Sequence, residues 1–346
     1  MKSDRERTRR VTVRDVAAAA GVSAMTVSNV INGRNTDVGA ETRKRVEEAI
    51  RTLNYRPQRG GQGLRSASSN SVGLIIIDPS PAFLSDPFTA AMVSGLSNVM
   101  RVADMTLTIQ GVSIEALEKS IFIRQLVVDG FCVILSGDAA ERKAAIDAIA
   151  RLQQPFILLQ ETLPAGVQDA CAVREDDEFG GKLIAGHLMA RGVSRILLIL
   201  PKTDWPALEG RSNGLRMAME AAQYSATFDV LRAEDEEFAS VQAALSSHLR
   251  EHPLPEVIVG GNDRIALAAM ALLQDRGHVI PNDVKIVGFN GFEFSRYARP
   301  SLTTVLSPAY QIGEKAGELM LERFAGKPFP KRDVVFAVSL SAGQSA

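Results

Sequence analysis

From Ser71 onward the chain alternates short apolar runs with amphipathic stretches, and this rhythm limits the possible folds more than any other feature. VGLIII (72–77), MTLTIQ (105–110), FCVILS (131–136), PFILLQ (155–160), ACAV (170–173), RILLIL (195–200), TFDVLR (227–232), EVIVGG (256–261) and VKIVGF (284–289) have the length and apolarity of buried strands. Helical stretches near 88–102, 114–127, 139–152, 178–190, 208–222, 238–250 and 263–276 fall between them. A strand that passes through a helix to the next strand makes a right-handed crossover, so the sheets are expected to be parallel. Nine strands in two sets predict two doubly wound lobes. Ligands of such sheets bind beyond the carboxyl ends of the strands, which places a small-molecule site in the cleft between the lobes.

Residues 11–57 follow a different pattern. Thr12 is placed to cap a first helix, with Asp15 as its capping-box partner, and Val13, Val16, Ala17 and Ala20 recur at helical spacing. Gly21 supplies the tight turn, and Ser23 opens a second short helix, Ala24 to Asn32, ended by Gly33. Val27, Val30 and Ile31 would face inward, and Met25, Thr26, Ser28 and Asn29 outward. A third helix, about Glu41 to Leu53, adds Val46, Ala49, Ile50 and Leu53 to a small core. A helix with slim outward residues at its N-terminal end can enter the major groove without being held off the base edges. A three-helix protein-interaction module is the alternative.

Charge separates the two readings. Residues 1–65 hold fourteen Lys and Arg against seven acids, a surplus of seven, while the whole chain carries −1, so the remainder carries −8. A basic head on an acidic body is the distribution expected of a phosphate-binding module joined to a soluble domain. At 346 residues two or three domains are expected. No apolar run approaches the ~18 residues of a membrane helix, and no secretory leader is visible, so a cytoplasmic home is expected. Cys132 and Cys171 read as buried free thiols, and His187, His248, His252 and His278 lack metal-ligand spacing. No nucleophile elbow, HExxH, P-loop or dinucleotide fingerprint is present, so neither an enzyme nor a cofactor is expected.

The motifs DVAAAAGVSAMTVSNVING (15–33), ETRKRVEEAIRTLNYRP (41–57), RGVSRILLI (191–199), NDRIAL (262–267), IPNDVKIVGFN (280–290) and RPSLTTV (299–305), in this order, resemble the lactose-repressor/galactose-repressor family of bacterial transcription regulators. The resemblance runs from Val11 to about Ser345. It implies an all-α helix-turn-helix domain and an α/β body like a periplasmic binding protein, with two doubly wound parallel-sheet lobes. The expected divisions are a basic arm at 1–10, the DNA-binding domain at 11–57, a hinge at 58–70, and an effector-binding and dimerisation domain at 71–346. Lobe 1 is expected at about 71–162 and 301–328, lobe 2 at about 163–300 and 329–346. The last long helix, near 308–325, would return to lobe 1. The implied partners are a near-palindromic double-stranded operator, a small-molecule effector and a second copy of the chain. No leucine-heptad tail follows, so a dimer is expected, with no membrane partner.

By the same resemblance Ser23, Thr26 and Ser28 hold phosphates or line the groove, Ala24 and Met25 face the bases, and Tyr55 touches the DNA backbone or caps the core. Thr12, Asn32, Thr42 and Arg59 are further candidates for DNA contact. Asn29 departs from the family's usual arginine, and asparagine pairs best with adenine where arginine favours guanine. Leu64 matches a leucine wedged into the minor groove. The glycines at 60, 61 and 63 weaken that hinge as a helix, so a plain flexible tether is the alternative.

For the effector, Arg211 is expected to grip hydroxyls or a carboxylate. Asn262 is expected to contact ligand while Asp263 caps the helix. Asp176 (or Asp177 within alignment error), Phe238, Asp86, Phe88 and Asn290 complete the candidate set. Asn290 and Gly291 stand where many sugar-binding members carry acids. A pocket thus made less acidic favours an anionic effector such as a sugar acid over a neutral sugar.

Overall fold

The computed structural model describes residues 11–31, 38–55, 69–78, 83–125 and 127–346. The expected arm at 1–10, most of the hinge, and the candidates Asn32, Arg59 and Leu64 lie outside these residues. The chain divides into two compact units at Ser69 and Asn70.

The first unit is three helices: α1 (Val13–Ala20), α2 (Ala24–Ile31) and α3 (Ala40–Thr52). Thr12 Oγ1 accepts from Asp15 N at 3.3 Å, and the Asp15 carboxylate accepts from Thr12 N at 2.7 Å. This reciprocal pair satisfies two otherwise orphaned donors at the helix start. Gly21 closes α1 at φ 64°, a conformation costly for a residue with a Cβ. Ser23 Oγ accepts from Thr26 N at 3.1 Å and caps α2. Val16, Val27 and Val46, one from each helix, are fully buried, with Ala17, Ala20, Ala49 and Tyr55 around them.

The second unit holds two six-stranded sheets. The first has the order β11–β5–β4–β3–β1–β2, built from β1 (Ser71–Ile77), β2 (Thr106–Val112), β3 (Gly130–Leu135), β4 (Phe156–Leu159), β5 (Ala170–Glu175) and β11 (Asp333–Phe336). The second has the order β12–β10–β9–β8–β6–β7, from β6 (Arg195–Pro201), β7 (Thr227–Ala233), β8 (Val257–Gly260), β9 (Lys285–Asn290), β10 (Thr303–Leu306) and β12 (Ser339–Ser341). Every pair is parallel except β10 with β12. Central β1 is buried at all seven positions, whereas edge strand β2 alternates. Two apolar layers cover each sheet, one per face.

Helices α4 (Pro87–Val102), α6 (Ala139–Ala150) and α11 (Ala309–Phe324) pack in lobe 1; α7 (Asp177–Met189), α8 (Pro206–Ala221), α9 (Phe238–Glu251) and α10 (Asp263–Asp275) pack in lobe 2. The helix expected near 114–127 is instead a 3-10 turn, Ile114–Lys119, followed by the short α5, Ile121–Arg124. Ser120 interrupts it: its hydroxyl accepts from Phe122 N and donates to Gln110, starting a new turn.

The expected lobe boundaries need correction. Residues 163–175 and 333–336 belong to lobe 1, because β5 pairs with β4 and β11 pairs with β5. Residues 301–306 belong to lobe 2, where β10 lies between β9 and β12. The absence of a helix between PFILLQ and ACAV reads as a change of lobe, yet a bare loop carries the chain to a parallel neighbour, Ile157 opposite Cys171. The chain therefore passes between lobes at 175–177, 306–309 and 336–338, and not at the expected divisions near 162, 300 and 328. α11 does return to lobe 1, against α4.

In each lobe two helices meet backbone to backbone through facing glycines. A Cβ on Gly214 of α8 would lie 1.9 Å from Glu178 O, and one on Gly181 of α7 would lie 2.2 Å from Arg211 O. Gly95 of α4 and Gly313 of α11 repeat the arrangement, with 2.1 Å to Tyr310 O and 1.9 Å to Met92 O. Only glycine fits at these four positions.

Candidate nucleic-acid interface and ligand cavity

In the helical unit, Ser23, Ala24 and Met25 are exposed at the N-terminal end of α2, and Met25 retains 55% of its surface. Thr26, Ser28 and Asn29 are half-buried, as is Thr42 in the first turn of α3; Thr12 is exposed at its cap. The Thr26 hydroxyl lies 2.9 Å from Ser23 Oγ. Tyr55 is buried among the apolar residues of this unit, so its ring closes the core. Arg43 and Arg51 pair with Glu47 and Glu48 on the same helix. Lys44 and Arg45 are exposed and make no ion pair among the described residues. The N-terminal end of α2 thus offers short polar groups and one flexible thioether, a surface slim enough to follow base edges.

In the second unit a cavity of about 420 Å³ is walled by both lobes. It lies where the carboxyl ends of β1, β3 and β4 face those of β6, β8 and β9, beside the two points at which strand order reverses. Asp78, Ser136 and Gln160 reach it from the first sheet, and Thr203, Asn262 and Asn290 from the second. Phe83, Phe88 and Met92 supply apolar wall on one side, Trp205 and Leu208 on the other.

Arg211 enters from α8, just under one turn before Gly214, so the close approach of α7 and α8 fixes its origin. Its guanidinium is 91% buried at the side chain and fully engaged. Nε donates to Asp177 at 2.8 Å, Nη2 to Glu175 at 3.0 Å and Nη1 to the Gly261 carbonyl at 2.8 Å, while its plane lies 3.7 Å from the Phe289 ring centroid. Burial raises the pKa of both carboxyls above the ordinary range, and Arg211 opposes that rise. Glu175 ends the last strand of lobe 1 before a chain crossing, and Asp177 begins the first helix of lobe 2 after it, so Arg211 ties the crossing together.

A second cluster centres on Glu236. It accepts from Asn262 Nδ2 and from Arg264 Nη1, both at 2.6 Å, and Glu237 takes the other arm of Arg264 at 2.8 Å. Burial, followed by the charge of Asp86 on lobe 1, pushes Glu236 up to about 7. Asp86 caps α4, accepting from Phe88 N, Thr89 N and the Thr89 hydroxyl.

Of the expected effector residues, Asp86, Phe88, Arg211, Asn262 and Asn290 line the cavity. Asp176 does not: its carboxylate caps α7 by accepting from Phe179 N at 2.9 Å, and the adjacent Asp177 takes the ion pair. Phe238 is also absent from the wall and is 55% exposed at the start of α9. The aromatic that does line this side is Trp205, held before Pro206 at the head of α8.

Asn262 lines the cavity as expected but also takes the cap expected of Asp263. Asn262 Oδ1 caps α10 through Ile265 N, while Asp263 is fully buried away from the cavity and accepts from Thr304 Oγ1 and Phe292 N. Burial pushes Asp263 up to about 7. It braces the segment carrying Asn290, which holds φ 102°.

The expected loss of acidity is also overturned: Asp78, Asp86, Asp235, Glu236 and Glu237 line the cavity against Arg211 and Arg264. The acids come from loops and helix starts other than the 290–291 position on which the expectation rested. Glu236, Gln160 and Trp205 were missed. A lone Trp before Pro and an acidic run after a strand (EDEE, 234–237) were the available signals; for Gln160 there was none. Gln160 Oε1 accepts from Glu175 N at 2.9 Å, which fixes the amide's orientation and leaves Nε2 buried with no partner.

At the rim of the cleft two contacts join the lobes. Gly137 N donates to the Asp204 carbonyl at 2.9 Å. Arg142 of α6, buried and paired with Glu161 at 2.7 Å, reaches Glu209 of α8 at 3.6 Å. Among the described residues no cluster could hold a metal ion, and no helix is long and apolar enough to cross a membrane.

Residues 12–58 match the model of bacterial regulatory proteins of the lacI family, and residues 185–346 match that of the periplasmic binding protein-like domain. The HTH-type transcriptional repressor PurR of Aliivibrio salmonicida (strain LFI1238) is 29% identical over 324 residues, covering 93% of this chain and 94% of the relative. A lac repressor dimer bound to operator and the anti-inducer ONPF has the same fold, with TM-score 0.83, 24% identity and coverage of 97% and 99% of the two chains. A transcriptional regulator CelR–cellobiose complex aligns with TM-score 0.68 and 26% identity, covering 97% of this chain and all of the other.

Proposed function

The chain belongs to the lacI family of bacterial regulatory proteins, a DNA-binding repressor with an effector-binding domain, and from that premise we propose what it senses and how it reads DNA. The cavity walled by both sheets carries this reading. A small polar metabolite seated there touches lobe 1 through Asp86 and Gln160 and lobe 2 through Trp205 and Asn262. It therefore favours one relative placement of the lobes over another. Such a ligand shifts operator affinity only by its differential affinity for the two placements, typically 1–3 kcal/mol.

A carbohydrate-sized effector is supported by the cavity's volume, by the stacking face of Trp205 and by the cellobiose in a neighbour of the same fold. A sugar acid is disfavoured, because both guanidiniums in the wall already face two carboxylates each. No catalytic chemistry is assigned to the site.

One helix-turn-helix reads too few base pairs for specificity, so two copies of the chain are proposed to bind a near-palindromic operator. Ser23, Ala24, Met25, Thr26, Ser28 and Asn29 are the proposed contacts on α2, with Thr12 and Thr42 at the neighbouring helix starts. The test is selection of duplexes from a random pool by the full chain, followed by addition of a cell metabolite extract. Two-fold symmetric half-sites should be enriched, and their retention should change with the extract. A pool that stays random overturns the proposal. Within those half-sites adenine should face Asn29, and Asn29→Arg should move the preference to guanine.

A further inference from the structure

The walls of the cavity are not electrically balanced. Arg211 is flanked by Glu175 and Asp177, and Arg264 by Glu236 and Glu237, so neither guanidinium has positive charge to spare for the other acids of the wall. Asp86 and Asp235 add two more carboxylates to the wall, and neither makes an ion pair among the described residues. Asp86 accepts only from the start of its own helix, and Asp235 accepts from Glu237 N. Asp86 on lobe 1 and Glu236 on lobe 2 line the same cavity, near enough for the charge of Asp86 to act on Glu236 and Arg264, and the Glu236 side chain is 89% buried. Two carboxylates brought together in a poorly solvated cleft repel unless one binds a proton or a cation lies between them. Phe83, Phe88 and Met92 stand opposite Trp205 and Leu208, with Ser136, Thr203, Asn262 and Asn290 as uncharged polar groups between them. One buried donor, Gln160 Nε2, is left without an acceptor.

We propose that the effector is an organic cation: a protonated amine held between Asp86 and Glu236, with its ring against Trp205. This rests on the cavity being the effector site. The ammonium supplies positive charge that the acidic wall lacks, and the aromatic wall favours it further through the ring faces. An anion entering the same space would meet the surplus negative charge with no spare guanidinium. The groups facing Glu236 are Asp86 from α4, Asn262 and Arg264 from α10, and Glu237 beside it. A cation arriving there stabilises the Glu236 carboxylate, so binding near pH 7 releases protons. A neutral ligand, which only removes water, favours the protonated acid and takes protons up.

The test is calorimetric titration of the full chain with two triads, each keeping one scaffold and changing only the charged group. They are D-glucosamine, D-glucose and D-glucuronate, then benzylamine, benzyl alcohol and benzoate. In at least one triad the amine should bind about 10-fold or more tighter than its neutral partner. Its enthalpy should vary with the ionisation heat of the buffer in the sense of proton release. Asp86→Asn keeps the helix cap, since asparagine caps as well as aspartate. It should erase the preference for the amine over its neutral partner; an equal loss for both marks a structural role and overturns the assignment.

Preference for the acid or the neutral member overturns the cation as well. So does the absence of amine binding when a metabolite extract still changes DNA retention, and in that case the receptor reading survives. Absence of both responses sinks the receptor reading with it.

Discussion

Asp263 shows what one buried side chain does to the stability of the receptor unit. Folded, it holds its proton up to about 7, whereas in an unfolded chain an aspartate releases it near ~4. Between those values the folded state binds more protons, so stability falls as pH rises across that window. Melting curves should show this loss, and Asp263→Asn should flatten the slope without abolishing it, because Glu236 contributes with the same sign. In the other unit, Thr12→Ala removes the side-chain half of the capping box, leaving the backbone N at that position to donate to Asp15, and should cost ~1 kcal/mol in urea unfolding. That cap was legible in the sequence, since Thr12 and Asp15 lie three apart before an apolar repeat. The roles of Asn262 and Asp263 were not: two polar residues in a row at a helix start both suit the cap. Only the tertiary position of Thr304, forty-one residues on, decides which one turns inward.

At the scale of elements, the alternation of apolar runs and helices locates β1 to β9 to within two residues, because strands buried on both faces are plain in sequence. β10, β11 and β12 escaped it. β10 has only four residues, and β11 and β12 are edge strands of four and three with half-exposed patterns; such short pieces carry too little periodicity. Lobe membership failed at β5, β10 and β11 for a related reason, since pairing partners are set by three-dimensional crossings and leave no local mark. The glycine-paired helices make a sharper prediction. Gly214→Ala puts a methyl into the backbone of α7 and should destabilise by ~1–3 kcal/mol in urea unfolding. Exposed Gly186 on α7 has open space around a Cβ, so Gly186→Ala should leave stability unchanged or slightly raised.

For the molecule as a whole, the resemblance carried by the head motifs and the body motifs matched two family models and the folds of known repressors. The charge of the cavity did not follow from any single position, because Asp86, Glu236 and Gln160 come from segments far apart in the chain. The Gly137–Asp204 and Arg142–Glu209 contacts bear on a different property, the speed of response. They hold one lobe against the other at 2.9 and 3.6 Å, so any rearrangement that parts the lobes here must break both. Where seating a metabolite requires that parting, its observed binding rate should level off as concentration rises. Glu209→Gln weakens the clasp and should raise the plateau in stopped-flow measurements of Trp205 fluorescence. A rate that climbs linearly without limit would show that binding leaves the clasp untouched. A clasp that must part before each binding event filters time: surges briefer than the wait for its opening end unanswered.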